Sequence, residues 1–416
     1  MAQTNAVPTS PRDIRIEEYA YELPEARIAL FPLEQRDASK LLLYQGGSLG
    51  QAQFRELPQH LPPGTLLLFN DTRVIHARLR FELPGGAPLE ILCLEPLAPA
   101  EYQQNFSQYG PVRWKCLVGG NRKWKTGKIE KQIAAPEGTI RLTATRLARV
   151  EDAFDISFEW DQPAISFGEL LALGGIIPLP PYLRRENVPS DEERYQTIYA
   201  RSQGSVAAPT AGLHFTDAVF KALDAKGIGR AFATLHVGAG TFKPVKAETM
   251  EGHHMHEESF FIRRKTLEAL AGALEAGKPI IPVGTTSLRV LESLYWCGAS
   301  IGRQGAAAAH SSLHVAQWEP YEQPTSLPAA QALHILLDAM NAQHTEALEG
   351  HTQLIIAPGY RFRLANGLIT NFHQPHSTLL LLIAALVGDD WRRIYQYALD
   401  NGFRFLSYGD SSLLLP

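Results

Sequence analysis

The stretch Thr65-Leu-Leu-Leu-Phe69-Asn-Asp-Thr-Arg73 decides how the chain is read. A near-continuous apolar strand, Thr65 to Phe69, runs straight into four polar residues, and past them the hydrophobic pattern changes. From Val74 to Phe158 apolar and polar residues alternate, as in Leu89–Leu94, Trp114–Val118 and Ile140–Thr145, with Gly, Pro and Asn turns between them. Alternation is the period of a half-buried strand, so this region predicts a small antiparallel β-barrel. After Phe167, strands at Arg230–Leu235 and Pro279–Val283 alternate with helical periods at Thr216–Lys226, Arg264–Ala276 and Ser287–Trp296. That rhythm marks an α/β unit. The expected fold class is α/β: a large α/β domain of residues 1–73 and 159–416, with a barrel domain of residues 74–158 inserted into it. Residues 298–352, which carry the low-complexity stretch Gly305–His310, break the rhythm and are expected to form a surface insertion.

A chain of 416 residues with a formal charge of −4 is long enough for two or three domains. Its charge is too small to recruit nucleic acid or membrane by a global field, which leaves only local patches. Cys93, Cys116 and Cys297 are odd in number and far apart, so no disulfide framework or zinc ribbon is expected and a reducing, cytoplasmic setting fits. The polar start, Met1 to Glu18, has the character of neither a signal nor a transit peptide. The longest apolar run, Leu379–Val387, is far shorter than the roughly 20 residues a membrane span needs. A monomer with no membrane partner is expected.

Polar islands interrupt the α/β part at the ends of its strands, where open α/β sheets bind ligands. Thr234-Leu-His-Val-Gly-Ala-Gly-Thr-Phe-Lys-Pro-Val245 leaves a strand on His236 and opens into a loop with Gly238, Gly240, Thr241 and Phe242. Glycines there allow φ > 0 and close approach to a ligand. Gly204-Ser-Val-Ala-Ala-Pro-Thr-Ala-Gly-Leu-His-Phe-Thr216 supplies Thr210 and His214 just before a helix start. Val283-Gly-Thr-Thr-Ser-Leu-Arg289 repeats the strand–turn–helix shape with three hydroxyls, a place where free N–H groups and the helix dipole favour anions. It lacks the Gly-Lys-Ser/Thr of a phosphate loop, and Gly238-Ala-Gly240 lacks the third glycine of a dinucleotide fingerprint. Thr370-Asn-Phe-His-Gln-Pro-His-Ser377, immediately before an apolar helix, and Asn70-Asp-Thr-Arg73, at a strand's end, complete the set. His253, His254, His256, Glu257 and Glu258 are tempting as metal ligands, but no H-E-x-x-H spacing occurs and no metal is expected.

The barrel region carries a different signal. Arg113, Lys115, Arg122, Lys123, Lys125, Lys128 and Lys131 stand against the single acid Glu130 and are interleaved with Trp114 and Trp124. Cations for phosphates and aromatics for base stacking suit RNA; a solvated hairpin face has the same composition.

Taken together these residues resemble one family. Asn70-Asp-Thr-Arg-Val-Ile75, Gly174-Gly175 with Pro178-Leu-Pro-Pro-Tyr182, Glu193-Arg-Tyr-Gln-Thr197, Ala208 to Thr216, His236 to Phe242, Met255-His256-Glu257, Val283 to Arg289, Thr370 to His373 and Phe405-Leu-Ser-Tyr-Gly-Asp410 follow its order. It is the S-adenosylmethionine:tRNA ribosyltransferase-isomerase family of queuosine biosynthesis. The resemblance covers the chain apart from residues 298–352 and 99–110. It implies a large α/β domain with an inserted barrel. It also implies a reaction: the ribosyl part of S-adenosylmethionine moves to 7-aminomethyl-7-deazaguanine in the tRNA anticodon and isomerises, giving epoxyqueuosine while adenine and methionine leave. Partners would be that tRNA and S-adenosylmethionine as co-substrate, with no other cofactor.

Such chemistry needs a base for the ribose 5′ hydrogens acidified by the sulfonium, and a donor for departing adenine. Histidine titrates in the right range. His214, His236 and His256 are the expected catalytic residues, with Asp71 or Glu258 orienting one of them. Phe215, Phe242 or Tyr408 would hold the sulfonium by cation–π attraction. The helix start at Thr285, Thr286 and Ser287, with Arg289 close by, would take the methionine carboxylate. Asn70, Arg73, Thr210, Gly238, Gly240, Thr241, Asn371 and His373 complete the expected substrate site. Three departures from the family pattern stand out: His76 for a common proline, His376 for the usual lysine, and Ser411-Ser412 in the terminal motif. Two other readings share some of these features: an RNA methyltransferase using the same sulfonium compound, and a non-enzymatic tRNA-binding adaptor.

Overall fold

The computed structural model describes residues 10–416 except 84, 125–126, 137, 239–244, 246 and 306–312. Its organising element is the strand Leu66–Asn70, buried along its whole length. Parallel neighbours satisfy its backbone on both sides, Ile280–Pro282 and Gly229–Leu235. Because side chains alternate, Leu66 and Leu68 enter one core with Leu288, Leu291 and Leu294 of the helix Thr285–Gln304. Leu67 and Phe69 face the other way, into a core shared with Val219, Phe220 and Leu223 of the helix Asp217–Ala225. A strand covered on both faces needs apolar residues at every position, which is why its sequence is continuous rather than alternating.

Three more strands extend this sheet. Glu258–Arg263 runs antiparallel to Gly229–Leu235, Ala347–Thr352 follows antiparallel, and Leu313–Val315 lies parallel at the edge. Residues 298–352 are therefore not a surface insertion. They supply two strands of the large sheet and the helix Ala329–Gln343, whose Ala332, Leu333 and Leu336 are fully buried. The helix Thr285–Gln304 crosses it at Gly298, where an added Cβ would lie 2.1 Å from the Ala332 carbonyl oxygen. A three-residue edge strand, a polar strand beside it and small residues at a close crossing give weak periodic signals, which is why this part of the core reads as an appendage.

A second sheet, ordered Leu368–Asn371, Ser411–Leu415, Lys40–Gln45, Ser48–Gln53, joins the first through a parallel bridge between Val283 and Ile369. The third is a nearly closed antiparallel sheet of six strands between Arg78 and Trp160. Its interior holds Ile91, Trp114, Trp124, Ile140 and Phe158, together with Phe167, Leu170 and Leu171 of the helix Phe167–Gly174. That helix starts on Ser166, whose hydroxyl and Glu169 form a reciprocal capping box. The fold is thus mixed α/β with several sheets, one of them barrel-like. Cys93, Cys116 and Cys297 are buried and unpaired.

Overpacking of a tight helix crossing typically costs about 1–3 kcal/mol. The Gly298→Val variant should therefore lose at least that much unfolding free energy in urea titration, whereas a true surface insertion would tolerate it with no change.

Candidate active site

The strands Leu66–Asn70 and Gly229–Leu235 end side by side, and the site is built on their ends. The Asn70 amide Oδ1 accepts the backbone N–H groups of Leu235 (3.0 Å) and Thr72 (3.2 Å), while Nδ2 donates to the Leu235 carbonyl (3.1 Å). Asn70 is spent on locking the strand ends and is not free for a ligand. Asp71 accepts the Thr234 hydroxyl at 2.6 Å, and burial raises its pKa against that hydrogen bond. It contributes to the same lock; the hydroxyl bonded to His236 is that of Thr72.

His236 follows directly. The Thr72 hydroxyl lies 3.4 Å from the Ser202 carbonyl, which can only accept, so Thr72 donates there and receives Nδ1–H of His236 at 3.3 Å. The lone pair of His236 then sits on Nε2. Burial pushes the imidazole down to about 4, so it is neutral near pH 7. Tyr102 lies against the ring, centroids 4.4 Å apart. Gly204 (φ +145°) passes behind it, where a Cβ would come within 2.6 Å of the imidazole. Tyr102 belongs to the stretch outside the family resemblance and carried no sequence signal, whereas Gly204 opens one of the polar islands.

Three cavities meet around these strand ends. The largest, ≈ 820 Å³, opens between the barrel sheet (Leu94, Tyr102, Lys115, Leu117) and His236, Gly238, His256 and Glu258. A second, ≈ 290 Å³, shares His256 and Glu258 with it and is lined by Arg289 and Ser377. A third, ≈ 100 Å³, holds Thr210, Thr285, Thr286, Asn371 and His373 around Val237. Arg289 is buried in an ion pair with Glu258, and its Nε donates to the Leu354 carbonyl at 3.1 Å. Glu258 thus serves an arginine, and Arg289 keeps one buried nitrogen, Nη2, without a partner on the wall of the second cavity. Ser287 turns back to donate to the Val283 carbonyl at 2.7 Å, so the free hydroxyls of this helix start are those of Thr285 and Thr286. His256 is exposed on the shared wall. Among the described residues no group of three His, Cys, Asp or Glu side chains is placed to hold a metal.

Several expected residues lie elsewhere. His214 is buried beside Phe54 with Nδ1 2.9 Å from the Ser39 hydroxyl, and it lines none of these cavities. Phe215 packs edge-on against Phe54 and Phe69 in the core, closed to a sulfonium. Tyr408 is buried too, donating to Asp191, which Arg185 holds in a bidentate pair. Arg73 points into a different cleft of ≈ 700 Å³ with Arg36, His76 and Glu192. Gly238 lines the large cleft, but its φ is not positive and a Cβ there meets nothing within 4 Å, so close approach does not explain it. Gly240, Thr241, Phe242 and Lys125 lie outside the described residues. His76 pairs with Glu192, and His376 sits exposed in a left-handed turn (φ 56°).

The basic hairpin is largely neutralised. Arg113 pairs with Asp155, Lys115 lies 3.0 Å from both Glu95 and Glu151, and Lys128 is 3.7 Å from Glu159. Lys131 donates to the Gly174 carbonyl at 2.7 Å, while Arg122 and Lys123 are exposed at the turn. Trp114 and Trp124 fill the barrel interior and present no face to a base. The alternation that marked the strand Val112–Gly119 also turned Trp114 inward, and the turn beyond it folds Trp124 over the same interior.

Burial holds His214 and His236 at about 4 and His373 at about 3. An unfolded imidazole binds a proton below about 6.5, whereas the folded ones refuse it until pH 3–4. Stability from these groups is complete above pH 6.5 and is lost as pH falls toward 4, by up to about 3 kcal/mol for a fully buried ring. Urea midpoints should therefore drop steeply between those values, and His214→Gln should flatten the drop.

The family model described as queuosine biosynthesis protein matches residues 16–414. The chain is similar to the S-adenosylmethionine:tRNA ribosyltransferase-isomerase of Rhodospirillum rubrum, 38% identical over 402 residues, covering 96% of this chain and 98% of that one. The protein of the same name from Halothermothrix orenii is 36% identical over 411 residues, 97% and 100% of the two chains. A crystal structure of an S-adenosylmethionine tRNA ribosyltransferase from Thermotoga maritima aligns over 98% of this chain and 100% of that one at 30% identity, with a TM-score of 0.45. Matched along nearly its whole length, the chain belongs to the queuosine biosynthesis protein family.

Proposed function

We propose that this protein is an S-adenosylmethionine:tRNA ribosyltransferase-isomerase. It transfers the ribosyl group of S-adenosylmethionine to 7-aminomethyl-7-deazaguanine in the tRNA anticodon, isomerises it, and releases adenine and methionine to leave epoxyqueuosine. Beside the family membership, one observation carries the reading: a neutral histidine, His236, with its Nε2 lone pair unspent, lines a nucleoside-sized cleft, while its neighbour Val237 lines a smaller polar pocket. S-Adenosylmethionine is here a co-substrate.

The sulfonium acidifies the ribose 5′ hydrogens, and a neutral imidazole accepts one of them on Nε2 while Thr72 retains the Nδ1 proton. A pKa near 4 makes His236 a weak base, which suits a carbon acid already activated by an adjacent cation. The exposed His256, on the wall shared by the two larger cavities, is the candidate donor to departing adenine. The anticodon base enters the ≈ 820 Å³ cleft from the barrel side, past Tyr102 and Lys115. The proposed division is an α/β body, residues 1–73 and 159–416, and a barrel, residues 74–158, with the site between them and one helix of the body packed into the barrel. The two cores are separate, and the helix Phe167–Gly174 belongs with the barrel's interior. Among the described residues, the exposed Arg122–Lys123 turn is the part of the hairpin that suits the tRNA backbone.

Incubation with S-adenosylmethionine and tRNA carrying the aminomethyl base should release adenine and methionine in equal amounts. Binding of that tRNA without adenine release would overturn the reading, and S-adenosylhomocysteine as product would make the protein a methyltransferase. General acid–base groups typically contribute about 10²–10⁴-fold. His236→Ala should therefore lower kcat by a factor in that range with KM for tRNA little changed. Thr72→Val should lower kcat as well by releasing the tautomer, and Thr72→Ser should restore it. Full turnover in both His236→Ala and Thr72→Val would remove His236 from the chemistry.

A further inference from the structure

The ≈ 100 Å³ cavity is too small for a nucleoside, and its walls carry no charged side chain among the described residues. Polar pockets of this kind suit a ligand that is neutral overall. One wall is the start of the 20-residue helix Thr285–Gln304, which begins on Gly284 with no side chain capping it. Its first N–H groups have no acceptor within the helix, and they lie at the positive end of the dipole. Such an end attracts a carboxylate or another anion.

Asn371, which lines the same cavity, holds the complementary feature. Asn371 is 3% exposed, and its Nδ2 donates to the carbonyls of Leu406 (2.9 Å) and Ser407 (3.4 Å). Carbonyls only accept, so the amide cannot be flipped. Its Oδ1 is left buried with no hydrogen-bond partner. An unsatisfied buried acceptor costs about 1–3 kcal/mol unless a ligand donor meets it. Sulfate on the helix start would leave Oδ1 unmet, because it carries no donor near neutral pH, and the hydroxyl donor of a phosphate lacks the charge of an ammonium. A zwitterion answers both walls at once.

We infer that this cavity is an α-amino-acid site: the Thr285–Thr286 helix start takes the carboxylate, Asn371 Oδ1 takes the ammonium, and free L-methionine binds there as well as the methionyl end of the sulfonium substrate. Arg289 lines the neighbouring ≈ 290 Å³ cavity and not this one, so the carboxylate is not assigned to it. The choice of methionine among amino acids rests on the proposed reaction; the zwitterion chemistry does not. Methionine leaving the reaction would then return to the same cavity and compete with incoming S-adenosylmethionine.

The test is calorimetric titration of the full-length protein, with and without tRNA, using L-methionine, its methyl ester, N-acetyl-methionine and inorganic phosphate. L-Methionine should bind one site per chain, and loss of either charge should weaken binding at least about tenfold. Thr286→Asp puts a carboxylate into the first helical turn, which favours the helix while occupying the anion position. It should keep or raise the thermal midpoint, weaken methionine at least about tenfold, and raise KM for S-adenosylmethionine. Asn371→Leu should weaken methionine and relieve the ester's disadvantage less than that of the N-acetyl compound. Phosphate binding as tightly as methionine, or undiminished methionine binding in Thr286→Asp, would overturn the inference. So would adenine release by a protein that shows no saturable methionine binding. Selective methionine binding without any adenine release would keep this site and overturn the ribosyl-transfer reading instead.

Discussion

The side chain of Asn70 gives and accepts hydrogen bonds to one residue, Leu235, and so ties together the ends of the two parallel strands that carry the site. Strand ends normally leave backbone groups to solvent, and here they would be buried beneath a cleft. Satisfying them with an amide fixes where the next residues go. Asp71 and Thr234 close a second hydrogen bond across the same pair, and Thr72 and His236 a third. The orientation of His236 is therefore a consequence of how the large sheet ends.

Burial then sets the electrostatics. Desolvation without a nearby acid holds His236 neutral, and the same effect acts more strongly on His373 beside the small cavity. Charges that do lie near the cleft are matched in place, Glu258 with Arg289 and Lys115 with Glu95 and Glu151. A floor of neutral imidazoles, hydroxyls and amides suits a cationic sulfonium, which an unpaired arginine or protonated histidine would repel.

Much of this was legible in the residues. The continuous strand Thr65–Phe69, the alternating region after Val74 and the polar islands at 236, 285 and 371 all lie where their patterns put them. Side-chain direction was not legible. His214 and His236 occupy similar polar runs, yet one faces Phe54 in the core and the other a cleft. Trp114 and Trp124 sit among cations in sequence and inside a barrel in space. Residues 298–352 lack a strong period because Leu313–Val315 is short and Ala347–Thr352 carries polar side chains, so only pairing across the sheet reveals them as core.

Composition, period and motif order determined by themselves the α/β class, the β-rich segment and the family, because those properties are written in local spacing. Which histidine meets the cleft, which arginine is already paired and where an acceptor stands unmet were decided by the tertiary structure. Those depend on contacts between residues more than a hundred positions apart, such as Thr72 with His236, and no local pattern encodes the partner a side chain will find.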